Sequence, residues 1–215
     1  MKKAIIILST VSVMAIAGFI VFVKADNVVS KKTTVNETAH TEKAVKENKD
    51  VLFEGKTDAF QNLEQLENES VIIVRGEKIS EEKTYVSRSE IDGAVNGGYT
   101  NSNFKINKVI KNEENDNKIT AGSTIPVFES AFYDEKTDTT YRINGYENMK
   151  EAKQYLLFLL PEQDGMYATR AVTYGKVPLD TDDLEIQTDS IGEEDQSQIQ
   201  TLETIFKEAR QKYKD

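Results

Sequence analysis

Side chains that could carry out covalent chemistry are scarce in this 215-residue sequence. It has no cysteine and one histidine, His40, so thiol nucleophiles, thiolate metal sites and Ser-His-Asp catalysis lack their essential groups. The spacing Ser-x-x-Lys occurs at 80–83 and 102–105, but both pairs lie in strand-like surroundings and no partner motif of a serine nucleophile follows. No glycine-rich phosphate-binding loop is present. The sequence predicts no catalytic residue and no cofactor, and hence not an enzyme.

Carboxylates are the abundant reactive groups, with 37 Asp and Glu against 27 Lys and Arg. Paired carboxylates could hydrolyse glycosides, but the chain has no tryptophan and no recognisable cleft pattern, so this enzyme is the weakest alternative. The acidic clusters 113–117 and 180–185 could bind calcium, yet neither has the spacing of an EF-hand loop, and we interpret both as solvated turns. Without a second imidazole or a thiol beside His40, we predict no metal site.

The charge of the chain restricts its partners. Without residues 1–25, which contain three lysines and no acidic residue, the chain keeps 24 Lys and Arg against 37 Asp and Glu. Nucleic acid is excluded as a partner, because phosphate binding needs clustered basic side chains. The excess of acid most simply keeps an exported domain soluble, and a cationic partner is the alternative.

The most specific pattern in the sequence is an uncharged run over residues 4–23, preceded by Lys2 and Lys3 and closed by Lys24. Twenty helical residues extend about 30 Å, the thickness of a bilayer core. The length favours a retained transmembrane anchor over a cleaved signal peptide, with secretion after cleavage at Ala25 as the alternative. The layout is that of an exported protein, which predicts a single-pass protein of the cell membrane with its C-terminal part outside.

Residues 26–50 form a polar tether without aromatic residues, Gly or Pro, and residues 51–215 form the folded domain. All three prolines and 16 of the 18 aromatic residues fall in that domain. A short helix is predicted with Asp58 as N-cap and Phe60, Leu63 and Leu66 on one face. A second, amphipathic helix is predicted over 196–213.

Between the helices, short apolar runs recur at the spacing of antiparallel strands. The predicted strands are 71–74, 84–89, 103–111, 124–130, 140–143, 155–160, 167–173 and 176–179. Turns are predicted at 96–98, 113–117 and 134–138. The run 155–160 is apolar on both faces and is taken as central, Gly76 predicts a bulge, and Pro126 predicts an edge or a second bulge. The fold class is therefore mainly β.

Four segments between residues 71 and 161 carry a resemblance to a known kind of domain: VIIVRGEKI, SNFKINKVIKN, AGSTIPVFES and YLLFLLP. Their order resembles an exported domain of Gram-positive bacteria that looks like a small OB-type barrel, similar in outline to the netrin and metalloproteinase-inhibitor module. The resemblance implies a small antiparallel OB-like barrel. It does not imply protease inhibition, because the inhibitors use an N-terminal cysteine and disulfides that this chain lacks.

The functional hypothesis is a non-catalytic, membrane-anchored extracytoplasmic binding module, with another envelope protein as its partner. The predicted contact residues are Phe132, Tyr133, Tyr141 and Tyr146, which flank the charged turn 134–138. The same aromatic residues could instead pack on a sheet, and the outer face of the helix 196–213 is the next candidate for contact. A structural or spacer protein of the cell envelope is the main alternative function.

Overall fold

The computed structural model describes residues 49–187 and 196–213. The predicted transmembrane run 4–23, and the tether as far as residue 48, lie outside the described residues. Lys49 and Asp50, assigned to the tether from sequence, form the start of the first strand. Neither helix in the described ranges combines the length and the apolar character needed to cross a membrane.

The described chain is mainly β, as the sequence predicts, with nine strands and two helices. In chain order the elements are β1 (Lys49–Phe53), α1 (Leu63–Glu69), β2 (Ile72–Arg88), β3 (Val95–Asn112), β4 (Thr124–Glu129), β5 (Ala131–Asp134), β6 (Thr139–Ile143), β7 (Gln154–Leu159), β8 (Tyr167–Ala168), β9 (Lys176–Pro178) and α2 (Gln196–Lys212). The C-terminal helix therefore agrees with its prediction. The first helix begins later than predicted, because Asn62 and not Asp58 caps it by accepting a hydrogen bond from the Gln65 amide at 2.8 Å.

The strands form two sheets, with the orders β1-β6-β5 and β8-β4-β3-β2-β7-β9. The long antiparallel hairpin of β2 and β3 dominates the larger sheet, whereas β1 with β6 and β4 with β8 are parallel. The prediction of a small antiparallel barrel is wrong in two respects, because both sheets are mixed and neither is closed within the described residues. Closure fails because β8 has only two residues and a single isolated bridge, Leu159 to Thr169, joins its end to β7.

The bulge predicted at Gly76 and the strand predicted over 167–173 have different outcomes. The bulge at Gly76 is confirmed by a register shift after Arg75, and a Cβ atom on Gly76 would lie 2.0 Å from the Lys105 carbonyl oxygen, so only glycine fits. The strand predicted over 167–173 ends at Ala168, since Ala171 and Val172 adopt left-handed backbone conformations.

The turn predicted at 96–98 is wrong, because these residues lie inside β3. The hairpin instead turns over residues 89–94, where Gly93 adopts a left-handed backbone conformation and side chains cap the turn. The Ser89 hydroxyl accepts a hydrogen bond from the Ile91 amide, and the Asp92 carboxylate accepts one from the Ala94 amide. Gly98 has a different role, since a Cβ atom there would lie 2.7 Å from the Phe132 ring.

Two apolar clusters cover opposite faces of the larger sheet. One packs α1 and α2 on the sheet and includes Phe60, Leu63, Leu66, Ile73, Leu156, Phe158, Val177, Leu202, Ile205, Phe206 and Ala209. The other fills the concave face and includes Ile72, Val74, Phe104, Ile106, Ile125, Val127, Tyr155, Leu157, Leu159 and Tyr167. Successive residues of β7 alternate between the clusters, and β7 has neighbouring strands on both sides, as predicted for a central strand.

Candidate functional site

An ion pair joins two turns at one end of the molecule. Arg88, the last residue of β2, donates from Nη2 to both carboxylate oxygens of Asp134 at 2.6 Å. Burial raises the pKa of Asp134, but hydrogen bonds from Thr137 and Arg88 outweigh it and lower the pKa below its usual value. The hairpin turn 89–94 and the predicted turn 134–138 are thereby held together, and we name this region the acidic end.

Two large side chains extend into solvent from the acidic end. Ile91, at the tip of the hairpin, is 99% exposed, and Tyr133 is 40% exposed. The Tyr133 hydroxyl donates to Asp138 at 2.8 Å, and this hydrogen bond raises the pKa of the phenol. The exposed charged residues of the two turns are Glu90, Asp92, Glu135 and Lys136. The acidic end therefore presents apolar contact area in two turns that carry more acidic than basic side chains.

The four predicted contact residues occupy different environments. Phe132 is buried and stacks on Tyr141 with ring centroids 5.1 Å apart, and Tyr141 stacks on Phe53 at 5.3 Å. Tyr146 is fully buried. Of the four, Tyr133 is the most exposed to solvent. A direct contact role for all four stays a prediction.

A groove runs between the two sheets next to the acidic end, and we name it the inter-sheet groove. Its volume is about 360 Å³, within the usual ~300–1,000 Å³ of ligand pockets. Its lining residues are Glu81, Thr84, Thr100, Ala131, Phe132, Tyr133, Thr140, Arg142, Glu147 and Asn148. Because Tyr133 belongs to both regions, the groove opens beside the acidic end.

Beside the groove lies a buried ion network built around Glu129, the last residue of β4. The Lys78 ammonium donates to Glu129 Oε1 at 2.9 Å, and the Ser102 hydroxyl donates to the same oxygen. Glu129 Oε2 accepts from the Tyr146 hydroxyl at 3.2 Å and from the Met149 amide. Burial lowers the pKa of Lys78, but the charge of Glu129 and hydrogen bonds to Glu81 and Glu129 reverse the effect and raise it.

The second half of the ion network is the buried pair Lys176 and Glu185. Their charged atoms lie 3.6 Å apart, and the Tyr155 hydroxyl donates to Glu185 Oε2 at 3.0 Å. The Lys176 ammonium also lies 4.3 Å from the centre of the Tyr146 ring. Burial outweighs the attraction of nearby carboxylates and lowers the pKa of Lys176 to about 8.

The ion network is arranged for stability and lacks a free base. Both oxygens of Glu129 accept two hydrogen bonds each, and both Glu129 and Lys78 are almost fully shielded from solvent. Burial and the nearby carboxylate Glu129 raise the pKa of the Tyr146 phenol far above its usual value, so the phenol stays protonated. A catalytic acid or base must reach its substrate, and these groups do not.

Sequence reasoning missed this network although part of its signal was present. In β2 the buried residues Ile72, Val74 and Gly76 are followed at the same spacing of two by Lys78. In β4 the buried Ile125 and Val127 are followed likewise by Glu129. Strand alternation therefore places both charged residues on the inner face. No such signal exists for Lys176 and Glu185, because the irregular chain around β9 positions them.

The other sequence candidates are occupied by internal contacts. Ser102 is buried in the ion network while Lys105, three residues later on the strand, is exposed. In the acidic clusters, Asp116 accepts a hydrogen bond from the Tyr167 hydroxyl, and Asp183 accepts one from the Glu185 amide at 2.9 Å. Within residues 49–187 and 196–213, no group of three or more acidic or histidine side chains is placed to hold a metal ion.

Comparison of the chain with models of known protein families finds no match, and comparison with curated proteins finds none either.

Proposed function

We propose that the protein is a non-catalytic, membrane-anchored extracytoplasmic binding module that contacts another envelope protein through the acidic end. The observation that carries the proposal is the ion pair in which Arg88 Nη2 contacts both oxygens of Asp134, because it joins two turns, one of which carries the exposed Ile91. The anchor is the apolar run 4–23, and the domain lies outside the membrane.

The hairpin tip is preorganised for contact. Six local hydrogen bonds fix it, including those from the Gly93 amide to the Ser89 carbonyl and from the Ser89 amide to the Ala94 carbonyl. A loop that is already ordered loses little conformational entropy on binding, so more of the contact energy contributes to affinity. Placing a large aliphatic side chain on such a tip has no benefit for folding, since Ile91 makes no core contact.

The ion network supports the non-catalytic part of the proposal. Its carboxylates and ammonium groups are buried and bonded to one another, which leaves the groove without a strongly perturbed acid or base at its surface. A structural or spacer role in the envelope is the second candidate, and it requires only a stable domain. The joining of the two turns by Arg88 and Asp134 favours the binding module over the spacer, because a spacer requires no preorganised surface.

Photocrosslinking in intact cells tests the proposal. A photoreactive amino acid at position 91 or 133 should give one discrete adduct with another envelope protein, whereas the same amino acid at the exposed position 151 should give none. A tag after Asp215 should be degraded by protease added to intact cells, which checks that the domain is outside. Adducts from position 208 on the outer face of α2, with none from 91 or 133, would contradict the acidic end as the contact surface. Protection of the tag until the membrane is permeabilised would contradict the location.

A further inference from the structure

We propose that the inter-sheet groove binds a primary ammonium group, supplied by a lysine side chain of the partner. This inference depends on the proposed binding function and assigns the chemistry that the partner must present. The lysine would enter beside Tyr133, where the groove opens at the acidic end, and its charged group would lie between the two sheets.

The groove has hydrogen-bond acceptors that lack donors. The Glu147 carboxylate forms no hydrogen bond or ion pair shorter than 4 Å with the described residues, although it lies at the groove wall. Asn148 Oδ1 is buried in the same wall and accepts no hydrogen bond. Buried acceptors are nearly always satisfied in native proteins, so Asn148 Oδ1 calls for a donor from outside the described residues, whereas the half-buried Glu147 carboxylate keeps access to solvent. An ammonium group brings three donors and no acceptor.

The charge balance favours a cation and disfavours an anion. The groove and the ion network beside it contain five carboxylates and four cationic side chains, so one positive charge is missing. The carboxylates belong to Asp50, Glu81, Glu129, Glu147 and Glu185, and the cations to Lys78, Lys150, Lys176 and Arg142. A bound lysine would neutralise the whole cluster, whereas an anionic ligand would add to its excess.

The cationic residue that lines the groove is already engaged and does not fill this role. Arg142 donates from Nε to Asp50 at 3.1 Å and from Nη1 to the Tyr146 carbonyl at 3.5 Å. Lys78 is held below the groove between Glu81 and Glu129. Arg142 and Lys78 are therefore already bonded to other groups of the protein.

The remaining walls suit the aliphatic part of a lysine. Tyr133 and the threonines Thr84 and Thr140 supply apolar surface around the groove, whereas the Phe132 ring is buried and stacked on Tyr141. An aromatic ring attracts an ammonium group at its face, and the methylene groups of lysine pack on apolar surface. The entrance at Tyr133 lies next to the exposed Ile91 region, so one partner segment could contact both.

The test uses the full-length protein in detergent micelles, labelled for NMR, and the capped tripeptide Gly-Lys-Gly as the probe. The peptide should give saturable chemical-shift changes at Thr84, Thr140 and Asn148. The substitution Glu147→Gln, which keeps the shape and removes the charge, should weaken binding about tenfold. Glu151→Gln, at an exposed position outside the groove, should leave the affinity unchanged.

Three results would overturn the inference. Equal binding of the peptide with an acetylated lysine would show that the charge is not recognised. Tighter binding of the arginine peptide would assign the groove to a guanidinium group instead. Unchanged affinity in Glu147→Gln with an intact spectrum would place the ammonium group elsewhere. None of these results affects crosslinking from position 91, so failure of the groove and failure of the proposed function are distinguishable.

Discussion

Replacing Glu129 by alanine is expected to lower the free energy of unfolding by about 3–5 kcal/mol. The substitution leaves the buried Lys78 with only the partly exposed Glu81 as a counter-ion, and breaking a buried ion pair from one side has a cost of that size. It also removes the acceptor of the Tyr146 hydroxyl, the Ser102 hydroxyl and the Met149 amide. Urea denaturation of the full-length protein in detergent, followed by circular dichroism, measures the change.

Two further variants serve as comparisons for the Glu129→Ala measurement. Glu151→Ala, at an exposed position, should change the unfolding free energy by less than about 0.5 kcal/mol. Glu129→Gln keeps the side-chain volume and one carbonyl acceptor. Its loss of unfolding free energy should therefore fall between the losses in Glu129→Ala and Glu151→Ala. A loss below about 1 kcal/mol in Glu129→Ala would mean that Glu129 is not the centre of the ion network.

The titration of Lys176 alone should raise the stability of the protein by about 2 kcal/mol between pH 8 and pH 10. Burial lowers the pKa of Lys176 to about 8, below the 10.5 of an ordinary lysine, so the unfolded chain binds more protons than the native protein in this range. Stability increases with pH wherever the unfolded state binds more protons. Keeping Lys176 charged in the native protein at neutral pH therefore lowers the free energy of unfolding. This loss disappears when Lys176 gives up its proton.

Above about pH 10 the trend should reverse. Burial raises the pKa of Tyr146 and Tyr155, so their phenols ionise in the unfolded chain before they do so in the native protein. The native pKa of Lys78 is raised, so the stability that its charged form contributes is also lost as the pH rises above about 10. Urea denaturation at half-unit pH steps measures the curve, and the Lys176 side-chain NMR signals report its titration directly. A flat or falling curve from pH 8 to 10, with Lys176 still protonated at pH 10, would contradict the assignment.

Much of the fold follows from local patterns in the sequence. Period-two alternation marks the inner faces of β2 and β4, the doubly apolar run 155–160 predicts the central position of β7, and the apolar stripe of α2 predicts its buried face. Gly76 predicts its bulge because a close backbone approach excludes a side chain. Alternation and the helical stripe depend on residues near one another in the chain, and the bulge is signalled by a glycine inside an apolar strand although the contact that requires it is with the distant Lys105.

Features that depend on distant residues were mispredicted or missed. The glycines at 97 and 98 resemble a turn, but Gly98 is required because a Cβ atom there would lie 2.4 Å from the Tyr85 carbonyl oxygen and 2.7 Å from the ring of Phe132. The hairpin turns instead where Ser89 and Asp92 cap the backbone. The link from Arg88 to Asp134 joins two turns that the sequence treats as separate, so the candidate site could not be assembled without the structure.

The most direct test of the binding proposal compares two exposed isoleucines on the same strand hairpin. Ile91 lies at the tip, and Ile79, which is 44% exposed, lies roughly 30 Å back along β2 at the usual rise per strand residue. Serine at either position should leave the unfolding free energy nearly unchanged, because neither side chain is buried. The measurement is the yield of the adduct formed in intact cells by a photoreactive amino acid at position 133. We expect Ile91→Ser to lower that yield about tenfold, as for a contact worth about 1.4 kcal/mol, and Ile79→Ser to leave it unchanged. Equal yields in the two variants would contradict the acidic end as the surface through which this protein binds its partner.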